Sequence, residues 1–346
     1  MPDELVTLRG TCSHEGCEVA TTGVCVRGET SPLQCTSFTS LKEAPEIKAM
    51  TSEEGGRAFR SGIGLGYLDA GELMRSAPTF VVPVVGLSEA GKTCYLMSLY
   101  SLCLAGRLLP ELRFAESRTL TGFDTLLRGI RKWNNGALAD RVVAHTSSQL
   151  TGREPAFLHL CLQEPAEPDR LHFLFSDVPG EWFDALINRP ASVTGDKLAF
   201  VGRADAIAFL VEGPRLIDLN TRHVELDNVR HLLMRLVENF FRKQRQVPVA
   251  VLITKMDDVP KEQHEEARGM MARECAKFLH HWQVFVCAAV PRRPEVLGPG
   301  TGVKDVLLYI KDQMAKSVRV AEFEFTGPAE RTFLALASLR GAKRGS

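Results

Sequence analysis

The sequence predicts an α/β protein built on a doubly wound, mostly parallel sheet. Short apolar runs recur along the chain, and amphipathic stretches of helical period separate several of them. The runs occupy residues 80–85, 156–162, 171–176, 206–211, 247–253 and 282–286. Continuous apolar runs are typical of strands buried on both faces, and the amphipathic stretches supply the crossover helices. Ligands of such folds bind at the carboxyl ends of the strands.

The first run leads directly into a phosphate-loop motif. Residues 86–93 read GLSEAGKT and fit G-x-x-x-x-G-K-[ST], and apolar residues at helical spacing follow. Glycines let backbone N–H groups surround phosphate oxygens, so we expect Lys92 to neutralise the β- and γ-phosphates and Thr93 to bind Mg²⁺. The alternative is a glycine-rich turn with a chance lysine. The predicted nucleotide-binding residues here are Gly86, Ser88, Glu89, Ala90, Gly91, Lys92, Thr93 and Cys94.

The run at 171–176 ends in a D-x-x-G segment, residues 177–180. An acidic residue after a strand is suited to a second Mg²⁺ contact, so Asp177 is the candidate, and the Gly180 N–H could face the γ-phosphate. Glu181 follows directly and is a candidate for orienting the attacking water. The alternative for Glu181 is an acidic residue at a helix start, favoured by the helix dipole.

The run at 247–253 ends in Thr254-Lys255-Met256-Asp257. The Asp257 carboxylate can accept hydrogen bonds from the guanine N1–H and 2-amino group, which adenine lacks, and the Lys255 stem can cover one face of the base. After the run at 282–286 comes Cys-Ala-Ala, where the backbone N–H of Ala288 could reach guanine O6. The alternative for each segment alone is an ordinary polar strand end.

These segments occur in one order, each at a predicted strand end, and together they resemble a Ras-like GTPase of the TRAFAC class from about Val81 to Lys316. The phosphate loop looks most like the Arf type. The whole chain resembles the bacterial double-GTPase family. That resemblance implies GTP or GDP as ligand, Mg²⁺-dependent hydrolysis, a protein effector or partner GTPase, and a role in bacterial conflict or antiphage systems. Cys287 departs from the serine usual in the last motif.

A long insertion, about residues 108–155, separates the first core helix from the second strand. Long connections inside compact domains are usually functional, and the first nucleotide-sensing switch belongs here. Thr146 is our candidate for the switch threonine, with Thr151 or neither as alternatives. Part of the insertion, around residues 120–130, has a helical apolar pattern.

Four cysteines cluster near the start of the chain in a polar, glycine-containing window with the spacing C-x₄-C-x₇-C-x₉-C. Such a segment cannot bury a core of its own, and residues 1–10 carry no apolar leader, so we expect a reducing compartment and a zinc site. The predicted ligands are Cys12, Cys17, Cys25 and Cys35, with His14 as a possible substitute. Free thiols or redox chemistry are the alternatives.

Composition and charge narrow the functional class. The 346 residues are 45% hydrophobic and 24% charged, with a formal net charge of zero, which argues against a general nucleic-acid or anionic-membrane binder. The chain has no apolar run of about 18 residues, so we expect no membrane span and a cytoplasmic location. The predicted organisation is a zinc-knuckle module at 1–38, a linker at 39–77, a GTPase domain at 78–317 and a tail at 318–346.

Two other functions compete with a hydrolysing GTPase. One is a GTP-binding scaffold with negligible hydrolysis, docking through the zinc knuckle. The other is an adenine-specific P-loop ATPase or kinase, in which residues 254–257 match the guanine motif by coincidence.

Overall fold

The chain forms two compact units, residues 1–59 and residues 60–346. The structure, a computed structural model, describes residues 10–13, 37–40, 62–108, 112–131, 155–164, 170–190, 193, 197–241 and 247–317.

The described part of the first unit is a two-stranded antiparallel sheet. Strand β1 (Gly10–Cys12) pairs with β2 (Phe38–Ser40), and Gly10 lies opposite Ser40. Cys12, one of the predicted zinc ligands, therefore lies in a strand. The other three, Cys17, Cys25 and Cys35, lie outside the described residues. The zinc site stays a prediction.

The second unit is built on a mixed sheet of two four-stranded parts. The strands are β3 (Thr79–Val82), β4 (Val84–Val85), β5 (Arg113–Glu116), β6 (Ala156–Gln163), β7 (Arg170–Asp177), β8 (Ile207–Glu212), β9 (Val249–Thr254) and β10 (Trp282–Val286). One part has the order β10-β9-β8-β4, all parallel, and the other has the order β3-β7-β6-β5. In the second part β3 and β7 are parallel, whereas β6 and β5 are antiparallel to their neighbours.

Pro83 separates β3 from β4 and divides the pairing between the two parts. Proline has no N–H to donate to a neighbouring strand, so the ladder must be interrupted there. Its carbonyl oxygen still accepts a hydrogen bond from the Ala208 N–H at 3.0 Å, an ordinary distance for a strand pair. On the other side, the Val84 N–H donates to the Ser176 hydroxyl at 2.9 Å, so a side chain replaces the missing main-chain partner. One continuous run of chain thus joins both parts of the sheet.

Helices cover both faces of this sheet, as a doubly wound fold requires. The helices are α1 (Tyr67–Ser76), α2 (Lys92–Leu104), α3 (Leu120–Arg131), α4 (Gly180–Asn188), α5 (Gly213–Ile217), α6 (Arg222–Asn239), α7 (His264–Phe278) and α8 (Val303–Ser317). Buried side chains of α1, α4, α6 and α7 form one core, and those of α2, α3 and α8 form another on the opposite face. The predicted α/β class and mostly parallel, doubly wound sheet are confirmed.

Two segments differ in detail from the prediction. The end of the predicted linker contains α1, whose Ala70 and Leu73 are buried in the core, and Leu65 pairs with Phe157 of β6. The compact unit accordingly begins at residue 60, before the expected boundary at 78. The insertion adds an antiparallel edge strand, β5, as well as the expected helix α3. Within the described residues, the helices are too short or too polar to cross a membrane.

Candidate functional site

The phosphate loop connects β4 to α2, and its backbone takes the conformation that the motif requires. Gly91 precedes the helix at φ +87°, a left-handed conformation that residues with a Cβ rarely adopt. Gly86 lies so close to β8 that an added Cβ would come 2.8 Å from the Leu210 carbonyl oxygen. Glu89 adopts φ +65° without being glycine, so the loop is held in its turn by the surrounding structure.

Lys92 is the half-buried cation of this loop. Its ammonium donates to the carbonyl oxygens of Gly86 at 2.9 Å and Leu87 at 2.8 Å. Burial lowers the pKa of Lys92 to about 8, and nearby carboxylates oppose that effect, led by Asp184 and followed by Asp177. A cation held at a loop, with carbonyl oxygens as its bonded partners, is arranged to receive an anion such as phosphate.

The D-x-x-G segment lies against the same loop. Asp177 is the last residue of β7, and Gly180 is the first residue of α4. A Cβ on Gly180 would lie 2.5 Å from both the Cα and the N of Ser88, so only glycine permits this approach. One turn further along α4, the Asp184 carboxylate accepts a hydrogen bond of 3.0 Å from the Ser88 hydroxyl.

The predicted Mg²⁺ ligands are compatible with that ion. Thr93 lies in the first turn of α2, and Asp177, at the end of β7, contributes to the charge environment of Lys92. Both are partly exposed, and hydroxyl and carboxylate oxygens are the donors that Mg²⁺ prefers. Glu181 is partly exposed in the first turn of α4 and also contributes to the field at Lys92.

Thr254, at the end of β9, joins residues 254–257, the predicted base-reading segment, to the phosphate loop. Its buried hydroxyl lies 2.9 Å from the Ala90 carbonyl oxygen and 3.1 Å from that of Val211. A hydroxyl has a single proton, so it shares its donation between these acceptors. The next residue, Lys255, is left-handed at φ +56° and its ammonium pairs with Glu212 at 2.9 Å.

Asp257 is buried and oriented by main-chain groups. Its Oδ2 accepts from the N–H of Arg292 at 2.7 Å and from that of Arg293 at 3.2 Å. These two donors fix the carboxylate, and Cys287, which stands where serine is usual, lies in the core. Burial raises the pKa of Cys287 to about 12, so this thiol is a packing group.

Some of the predicted contacts are not placed by the structure. The N–H of Ala288 donates to the Thr301 carbonyl oxygen at 3.1 Å, so its predicted contact with guanine O6 would require that bond to open. Thr146 and Thr151 lie outside the described residues. Cys94 is partly exposed in the first turn of α2, and burial raises its pKa. These contacts stay predictions.

The sequence did not indicate four residues that contact the predicted site: Asp184, Glu212, and Arg292 and Arg293 through their main chains. Asp184 had one available signal, because it lies one helical turn after the D-x-x-G glycine and therefore on the same face of α4. Glu212 directly follows the predicted strand at 206–211, and polar ligands gather at such strand ends. Main-chain donors from the loop at 292–293 have no sequence signal, since every non-proline residue offers the same N–H.

A separate cluster of side chains has the composition of a metal site. Ligand atoms of Glu116, Cys161 and His172 lie within 4.8 Å of one another. The Arg118 N–H donates to His159 Nδ1 at 2.9 Å, so neutral His159 carries its proton on Nε2 and donates it to His172 Nδ1 at 3.0 Å. His172 must then carry a proton on Nε2, which faces the Cys161 sulfur at 3.7 Å. A metal would have to displace that proton, so this hydrogen-bonded chain disfavours coordination.

Comparison with known proteins decides the family. The double-GTPase 2 family model matches residues 80–310 of the 346. The chain belongs to the double-GTPase 2 family. It is therefore a P-loop GTPase-family protein, as the order of its motifs predicted, and the match includes the phosphate loop, the D-x-x-G segment and residues 254–257.

Solved structures provide distant likenesses to this double-GTPase 2 protein. The Arl6 (BBS3) small GTPase of Trypanosoma brucei, with bound GppNp, is 13% identical, with a TM-score of 0.38 over 69% of this chain and 98% of that one. The elongation factor SelB of Methanococcus maripaludis, in its apo form, is 12% identical, with a TM-score of 0.36 over 69% of this chain and 34% of that one. No curated protein matches the sequence.

Proposed function

We propose that this double-GTPase 2 protein binds GTP and GDP, hydrolyses GTP with the help of Mg²⁺, and acts as a nucleotide-dependent switch. One observation carries the proposal. The Thr254 hydroxyl donates to the Ala90 carbonyl oxygen, so the proposed base-reading segment lies directly against the phosphate loop at the ends of β4 and β9. A nucleotide needs both ends of such a site.

At the phosphate end, each group has a distinct task. Backbone N–H groups of residues 86–91 bind phosphate oxygens, and Lys92 neutralises the β- and γ-phosphates. Thr93 would hold Mg²⁺, and Asp177 would support it. When bound, Mg²⁺ would neutralise negative charge on the phosphoryl group that is transferred. Glu181 orients the attacking water, and the Gly180 N–H faces the γ-phosphate.

At the base end, Asp257 gives guanine specificity. Its Oδ2 is held by two main-chain N–H groups, which leaves the carboxylate fixed for accepting the N1–H and 2-amino protons of the base. The ion pair between Lys255 and Glu212 holds the lysine stem for contact with the face of the base. Adenine would leave this buried carboxylate without the two donors that guanine supplies, which is costly.

The switch would consist of residues 140–155, most of which lie outside the described residues, and residues 178–190, which include α4. Hydrolysis removes the γ-phosphate, and its contacts to both segments are lost, so their binding surfaces change. Membership of this family favours a protein effector or partner GTPase, and a role in a bacterial conflict system within the cytoplasm.

The test is multiple-turnover release of inorganic phosphate from GTP by the purified full chain, with Mg²⁺ and with EDTA. Wild type should release phosphate only with Mg²⁺, and Lys92→Ala should neither bind nor turn over GTP. Glu181→Ala, which removes the group that orients the water, should bind GTP normally and turn over more slowly. Tight GTP binding without turnover would instead establish a GTP-binding scaffold. Displacement of bound GTP by an equal concentration of ATP would establish an adenine-specific ATPase or kinase.

A further inference from the structure

The turn that carries Asp257 has limited support from its own main chain. Residues 256–258 form a short 3₁₀ turn directly after the end of the base-side strand β9. Within this turn the Val259 N–H donates to the Met256 carbonyl oxygen at 3.3 Å, a long hydrogen bond. Hydrogen-bond geometry in 3₁₀ turns is poorer than in α-helices, so the shape of the turn depends on its other contacts.

His264, the first residue of α7, supplies such a contact. Its Nε2 atom lies 3.0 Å from the carbonyl oxygen of Met256 and 3.0 Å from that of Val259. Carbonyl oxygens only accept hydrogen bonds, so Nε2 must carry a proton and share it between the two. The imidazole therefore connects the residue before Asp257 to the second residue after it, and it holds the turn closed.

The side chain of Asp257 is held separately from this main-chain connection. Its buried Oδ2 accepts from the N–H groups of Arg292 and Arg293 at 2.7 and 3.2 Å. Those bonds fix one carboxylate oxygen, whereas His264 fixes the backbone from which the carboxylate extends. A carboxylate that accepts two hydrogen bonds from one base edge must have the right angle as well as the right distance, because bent hydrogen bonds are weak.

We propose that His264 is a positioning residue for guanine recognition, acting through Asp257 and not by contact with the nucleotide. This inference rests on the proposed guanine-nucleotide binding and adds a residue that sets its specificity. Without the imidazole, the carbonyl oxygens of Met256 and Val259 lose their donor and the turn relaxes. The Asp257 carboxylate then no longer meets the N1–H and the 2-amino group of guanine together.

The deciding variant is His264→Phe, which keeps an aromatic ring and removes the donor. Its affinity for GDP is compared with its affinity for inosine diphosphate, IDP, whose base has the N1–H but lacks the 2-amino group. We expect the preference for GDP over IDP to fall about tenfold, since GDP alone can lose the second hydrogen bond to a charged group. His264→Gln places an amide N–H near the position of Nε2 and should restore most of the preference. His280→Phe, at an exposed position just beyond the end of α7, should keep the wild-type preference.

The measurement is calorimetric titration of GDP and of IDP into the full chain with Mg²⁺, beside a thermal melt of each variant. The same titrations are repeated with His264→Phe added to Asp257→Ala. If His264 acts through Asp257, the two changes are not additive, and the added substitution should leave the GDP-to-IDP affinity ratio of Asp257→Ala unaltered. His264→Ala, which admits water to both carbonyl oxygens, gives the same comparison if the phenylalanine variant does not fold.

A folded His264 variant without the donor that keeps the wild-type GDP-to-IDP ratio would overturn the proposal. So would a ratio that His264→Phe still changes when Asp257 is already alanine, because His264 would then act by another route. Two outcomes in the wild type concern the proposed function instead. Equal binding of GDP and IDP would refute base reading by Asp257, and binding of neither would refute nucleotide binding itself; each would remove the basis of the His264 proposal as well.

Discussion

The bond between Thr254 and the phosphate loop offers a direct test of how the two halves of the site are joined. Thr254→Val keeps the shape of the side chain and removes only its hydroxyl. The carbonyl oxygens of Ala90 and Val211, at 2.9 and 3.1 Å, then lose a buried donor. We expect the loop to lose part of its fixed conformation, because Ala90 lies within it.

The size of the effect follows from the cost of leaving buried polar groups without a partner, about 1–3 kcal/mol. Valine fills the same volume, so no cavity adds to that cost. If the loop bears most of it, GDP affinity should fall about tenfold, since a tenfold change corresponds to about 1.4 kcal/mol. The melting temperature should fall by about 2–4 °C for each kcal/mol lost in a domain of this size.

Thr254→Ser is the matched control, because it keeps the hydroxyl and removes a buried methyl group worth about 1 kcal/mol. Both variants should have a lower melting temperature than wild type, but only Thr254→Val should bind GDP more weakly. The assay is calorimetric titration of GDP beside a thermal melt. If the valine and serine variants bind GDP equally well, the hydroxyl does not tie the loop to β9 and the reasoning fails.

Three other expectations follow from the same structure. Asp257→Asn should bind xanthine nucleotides better than guanine nucleotides. Two main-chain N–H groups hold the oxygen of the new amide, so its NH₂ group faces the C2 oxygen of xanthine. An unchanged preference for guanine in a competition assay would contradict the base-reading role. Burial lowers the pKa of His159 to about 3, so between pH 6.5 and 3 only the unfolded chain binds that proton and stability falls as pH falls. The free energy of unfolding in urea should be about 2 kcal/mol lower at pH 5 than at pH 7, and His159→Gln should reduce that difference. Changing Cys12 and Cys17 to Ser should release about one zinc ion per chain and expose residues 10–37 to protease while GDP affinity stays constant; a metal-free, equally resistant wild type would refute the zinc site.

The sequence by itself determined the fold class and the phosphate loop. A strand, a glycine-rich turn and a helix with Lys92 at its start are neighbours in the chain, so local periodicity and the glycine at position 91 are enough to predict them. The order of the motifs also resembled that of the family whose model matches residues 80–310. The edge strand β5 had no comparable signal, since short antiparallel edge strands carry little periodicity.

Only the tertiary structure decided which groups meet across that edge. The Ser88 hydroxyl reaches Asp184 over 96 positions, and the Thr254 hydroxyl reaches Ala90 over 164. The partners of Asp257 are main-chain N–H groups, which every residue but proline offers, so side-chain chemistry could not indicate them. The Ala288 N–H similarly found an acceptor in the loop at Thr301. Hydrogen bonds over such separations depend on how the sheet and helices pack, because packing alone brings distant donors and acceptors within about 3 Å.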